Sequence, residues 1–172
     1  GTSNQVLYLL MGDGKRWIAA DEAISEKGST PAQDARIAVD MLARWGLTAH
    51  HVTAAYGDIN SAGKAGAGAS VNILLEHEIA KALGLSECPF SIRRPNKRGG
   101  SVLAGEKAMN SMLKEGRLFA TARTKSLNTS LQHYTGKEQD LKHPIDAIRY
   151  GLSDVLLTVP ATSRAAARVV AL

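Results

Sequence analysis

Two aspartates and a histidine stand where phosphodiester chemistry would need them. Asp58 follows Ala55-Tyr56-Gly57, where an apolar run passes into a glycine-containing loop. Asp146 lies in His143-Pro144-Ile145-Asp146-Ala147-Ile148-Arg149-Tyr150. Ligands of α/β sheets gather at the carboxyl ends of strands, a natural place for the first acid. His143 and Asp146 stand three apart, a spacing that sets two side chains on one side of a helix start, with Pro144 in its first turn. Ile145, Ile148 and Leu152 then form the buried stripe of that helix. Carboxylates and imidazole suit a hard or borderline divalent ion. Two such ions, about 3.5–4 Å apart, activate a water and stabilise the leaving oxygen of a phosphodiester. The plain alternative is that each acid caps a helix or partners its dipole, and spacing alone favours that alternative.

Charge adds a second observation. The net charge is +5, and the stretch from Arg93 to Lys125 holds nine basic residues against Glu106 and Glu115, which leaves the rest of the chain net negative. Arg93, Arg94, Lys97 and Arg98 form its densest part, and Lys64 sits in a separate small-residue loop. A concentrated positive stretch points to phosphate backbones, held without reading the bases. A solvated basic surface is the competing reading.

Other chemistries fall away. Gly63-Lys64-Ala65 lacks the Ser or Thr of a nucleotide-binding loop, and Gly57 is one residue too far upstream. Cys88 is the sole cysteine, which excludes an internal disulfide, makes zinc improbable and fits a reducing compartment. No nucleophile elbow surrounds a serine or cysteine. Aromatics at 5% are too sparse for a base-stacking platform. No apolar run reaches the roughly 20 residues of a membrane span.

The elements that would position these residues read as follows. Apolar runs on either side of Asp13-Gly14 make a β-hairpin. Thr30-Pro31 caps a helix through Ile37, Met41, Leu42 and Trp45 that stops at Gly46. A strand from His50 to Tyr56 precedes a helix from about Ser70 to Gly84. A short strand at Phe90–Arg93, a helix at Ser101–Glu115, a strand at Arg117–Ala120 and a helix at Ser126–Tyr134 follow. The last helix runs from about Pro144 to Leu156, and the Ala-rich end continues helically or frays. One α/β domain over residues 1–158, with a mixed sheet and a C-terminal tail at 159–172, is the expected organisation.

The run Lys142-His143-Pro144-Ile145-Asp146-Ala147-Ile148-Arg149-Tyr150-Gly151-Leu152 resembles the closing motif of phage large-terminase nuclease domains, in which an acid precedes Ala, an aliphatic, Arg and Tyr. Gly116-Arg117-Leu118-Phe119 and Leu131-Gln132-His133-Tyr134 resemble the segments before it, and Asp58 stands where that family has its middle acid. The resemblance, over about residues 1–156, implies an RNase H-like mixed sheet with an N-terminal hairpin, flanked by helices. It implies a DNA endonuclease holding two Mg²⁺ or Mn²⁺ ions on Asp58 and Asp146, with His143 contributing. It also implies double-stranded DNA as substrate, a neighbouring ATPase domain, a small terminase subunit and a portal protein as partners, and the cytoplasm of the infected host as location. The family's first acid precedes a Gly-Thr turn, so it is expected just upstream of Gly1-Thr2, which would leave this chain a poor metal binder. Asp21 and Glu22, expected at the end of the second strand, are the internal substitutes. A non-catalytic DNA-binding or docking module of the same fold, and a resolvase or transposase, are the alternatives.

Overall fold

The computed structural model describes residues 6–57, 71–95, 100–156 and 166–171. Within them β1 (Val6–Gly12) and β2 (Trp17–Ile24) form the expected antiparallel hairpin. Asp13 closes its turn, its Oδ1 accepting the backbone N–H groups of Lys15 and Arg16. Then come α1 (Pro31–Arg44), a 3-10 turn (Ala49–His51), β3 (Val52–Gly57), α2 (Val71–Leu83) and β4 (Ile92–Arg93). The chain continues with α3 (Ser101–Lys114), β5 (Leu118–Ala120), α4 (Lys125–His133), α5 (Gln139–Gly151), α6 (Ser153–Leu156) and β6 (Ala166–Ala171).

Local chemistry sets α1 tightly. Thr30 and Gln33 form a reciprocal capping box. At the other end Gly46 takes φ 68°, and the Leu47 N–H reaches back to the Leu42 carbonyl, closing a Schellman motif.

The sheet order is β4-β3-β6-β1-β2-β5. β6 runs antiparallel to β1 and parallel to β3, with Ala171 opposite both Leu7 and Gly57. The expected helical or frayed end is thus corrected, for residues 166–171, to a strand in the middle of the sheet. Its side chains alternate between two apolar layers. Val170 packs with α5, whereas Ala167, Val169 and Ala171 face the layer of α1 and α2. Burial on both faces overrides the helix propensity of an Ala-rich segment.

Helices cover both faces. α1 and α2 pack on Leu7, Leu9, Ala20, Val52 and Ala55. α3, α4 and α5 pack on Tyr8, Leu10, Trp17, Ala19, Ala54 and Tyr56. A register shift between Leu9 and Leu10 makes Ala20 the extra residue on β2, a β-bulge beside Asp21. No helix among the described residues is long and apolar enough to cross a membrane.

Candidate active site

α5 carries the only described acid of the expected pair. It begins at Gln139, so Pro144 stands inside the helix rather than in its first turn, and Asp146 is mid-helix. The proline removes the N–H that would serve the carbonyl of residue 140, which lies in an exposed first turn where that loss is tolerable. Ile145, Ile148 and Leu152 are buried as expected, at 4%, 1% and 0%.

Gly151 lets α5 approach Val170 and Leu10 closely, where a β-carbon would not fit. Arg168 of β6 holds its carboxyl end, donating from Nη1 to the Gly151 carbonyl at 3.1 Å while pairing with Asp154 of α6. The Arg168 guanidinium also lies over the Trp17 ring, 4.6 Å from its centre.

The Asp146 side chain is 14% exposed, and its Oδ1 accepts from Arg149 Nη2 at 2.9 Å. Arg149 is itself buried, stacked over Tyr150 and pressed against Gly105 of α3, where a β-carbon would come within 2.6 Å of its Cδ. One Asp146 oxygen is therefore fixed by a guanidinium, and Oδ2 has no partner among the described residues. The sequence motif contains both residues, yet their ion pair was not anticipated from it. His143, three residues earlier on α5, is exposed.

The second acid, Asp58, lies outside the described residues. The strand that leads to it ends at Gly57, in register with Ala171 of β6. Gly57 is required there: a β-carbon would lie 2.4 Å from Asn72 Oδ1 and 2.9 Å from Ile92 Cγ2. α2 and β4 thus close against the carboxyl end of β3. Arg93 is registered with Tyr56, so the exposed Arg93 and Arg94 belong to the same end of the sheet. Lys64, Lys97 and Arg98 lie outside the described residues.

The internal substitutes serve other ends. Asp21 is within β2, not at its end, and is 1% exposed. Its Oδ2 accepts from Trp45 Nε1 at 3.0 Å and Arg44 Nε at 3.1 Å, and its Oδ1 from Arg123 Nε at 3.2 Å. Burial would raise its pKa, but the bonds from Trp45, Arg123 and Arg44 outweigh that and hold it below the ordinary carboxylate value. Glu22 accepts the backbone N–H groups of Ser126 and Leu127, capping the start of α4. Both carboxylates join distant segments and are poor candidates for an ion.

Both edges of β1 are taken, one by β2 and the other by β6.

Carboxylates and imidazole have the right donor chemistry for Mg²⁺ or Mn²⁺. Among the described residues, however, no group of three or more His, Cys, Asp or Glu side chains gathers into a metal site. Asp146 fits as one ligand through Oδ2, and a complete site needs Asp58. Comparison with family models, curated proteins and solved structures gives no match to this chain.

Proposed function

We propose that the chain is an RNase H-like endonuclease domain of the packaging-terminase kind, cutting double-stranded DNA with two Mg²⁺ or Mn²⁺ ions. The observation that carries the proposal is the carboxyl end of β3 together with the helix that packs over the sheet. Gly57, immediately before Asp58, ends β3 beside Ala171, with Arg93 across from Tyr56, and α5 with Asp146 packs over β1, β3 and β6.

In this reading Asp58 and Asp146 hold the ions and His143 assists. Bound ions would supply a water nucleophilic at neutral pH and offset charge on the leaving oxygen. Arg149 fixes the Asp146 carboxylate through Oδ1, leaving Oδ2 as the coordinating atom. Arg93, Arg94, Lys97, Arg98 and Lys64 neutralise phosphates without selecting a sequence. An ATPase domain, a small terminase subunit and a portal protein as partners, and the infected host's cytoplasm, follow from the resemblance alone.

A second reading, a DNA-binding module of similar fold without activity, is favoured by Arg149 already occupying Asp146. Nicking of supercoiled plasmid with Mn²⁺ separates the two. The nuclease reading expects nicking by the chain carrying its upstream acid, lost in Asp146→Asn with the fold retained. Salt-sensitive DNA binding without nicking would leave only the second reading, and wild-type nicking by Asp146→Asn would remove Asp146 from the site.

A further inference from the structure

A pocket of about 240 Å³ opens between α3, α4, the turn after α4, and α5. Its apolar walls are Met109, Leu131 and Ile145, and its polar groups include Glu106, Ser130 and Tyr134. Ser130 is 1% exposed, and its Oγ has no hydrogen-bond partner among the described residues. A helical serine ordinarily returns its hydroxyl to the carbonyl four residues back, and a buried hydroxyl left unpaired is destabilising. Ser130 is one of the residues that line the pocket.

Acidic groups act on the Tyr134 hydroxyl at the pocket wall. The Tyr134 hydroxyl faces Glu106 Oε1 at 3.5 Å. Burial raises its pKa, and the charged groups that add to the rise are Glu106, Asp146 and Glu138, all acids. Glu138 is held ionised down to a pKa of about 2 by hydrogen bonds from Thr135, a residue of the pocket wall. A pocket of this size has room for about eight water-sized atoms.

We propose that this pocket binds a small organic cation, an arylmethyl- or alkylammonium, with Glu106 as counter-ion and Ser130 Oγ as hydrogen-bond acceptor. Met109, Leu131 and Ile145 receive its apolar body, and the face of Tyr134 adds a cation–π contact. The inference does not rest on the nuclease reading.

Benzylammonium and its neutral isostere benzyl alcohol test it, titrated into the full chain and followed by amide chemical shifts. Saturable shifts centred on Ser130, Leu131 and Ile145 are expected, with benzylammonium about tenfold tighter than the alcohol. Glu106→Gln should remove that preference while melting like the wild type, and Ser130→Ala should weaken the ammonium severalfold. Absence of saturable shifts at those amides, equal affinity for the two probes, or a preference that survives Glu106→Gln would each overturn the proposal.

Discussion

Replacing Gly151 by alanine attacks the contact that sets the height of α5 above the sheet. A β-carbon there would lie 2.4 Å from Val170 Cγ2 and 2.6 Å from Leu10 Cδ1, where ordinary contact begins at 3.4 Å. Val170 and Leu10 are both 0% exposed, so neither has free space to swing into. α5 must then lift by about 1 Å, the shortfall in that contact. Overpacking of this kind costs about 1–3 kcal/mol. Alanine returns at most about 1 kcal/mol through its better helix propensity. The net loss is about 1–2 kcal/mol, and in a domain of this size the melting temperature should fall by about 2–8 °C. The lift also draws the Gly151 carbonyl away from Arg168, which acts in the same direction. Thermal unfolding followed by circular dichroism is the assay. A melting temperature equal to or above that of the wild type would refute the close-approach argument. Because Asp146 rides on the same helix, the proposed nuclease function further expects Mn²⁺-dependent nicking by the variant to fall more than its loss of folded protein explains.

Gly105→Ala should do the converse: the added carbon meets only the stem of Arg149, so melting changes less than in Gly151→Ala while nicking falls with the displaced Arg149–Asp146 pair. Asp21→Asn removes a carboxylate whose arginine partners, 43% and 54% exposed, can rehydrate, so the loss is about 2 kcal/mol rather than that of a fully buried pair. Asp21 has a folded pKa below its unfolded value, so its contribution is present above about pH 4 and is lost as pH falls through the folded pKa. Acid unfolding of Asp21→Asn should therefore show a shallower dependence on pH below about 4, and an unchanged dependence would contradict the network. The double variant Arg93→Ala, Arg94→Ala should reduce the salt dependence of duplex binding by about two counterions, uniformly across sequences, and an unchanged slope would remove that edge from the DNA path.

Much of the scaffold was legible because its signals are local. Thr30-Pro31, Gln33 and Gly46 specify both ends of α1 within the helix's own sequence, and Asp13-Gly14 does the same for the hairpin. β6 was not legible. Ala166-Ala167-Arg168-Val169-Val170-Ala171 has the composition of a helix or a frayed end, and only the slot between β1 and β3 makes it a strand. Pro144 misled for a related reason: its usual place is a first turn, but the buried stripe of Ile145, Ile148 and Leu152 and an exposed amino-terminal turn let α5 begin earlier. In the candidate site, the buried stripe beside Asp146 could be read from spacing. Asp146 and Arg149 have the i,i+3 spacing of a helical ion pair, but the burial of the guanidinium could not be read, since it depends on Gly105 of α3 leaving room for its stem. Asp21 and Glu22 looked like spare acids until Arg44, Trp45, Arg123 and the start of α4 were brought to them from remote parts of the chain. Such long-range partners leave no periodic trace in a single sequence.

Anomalous diffraction from crystals soaked in Mn²⁺ tests the central claim most directly. The account predicts manganese within about 2.0–2.6 Å of carboxylate oxygens from both Asp58 and Asp146, the coordination range of oxygen-bound divalent ions. Manganese bound to neither aspartate, or to one while the other carboxylate lies too far away to share the site, would contradict it.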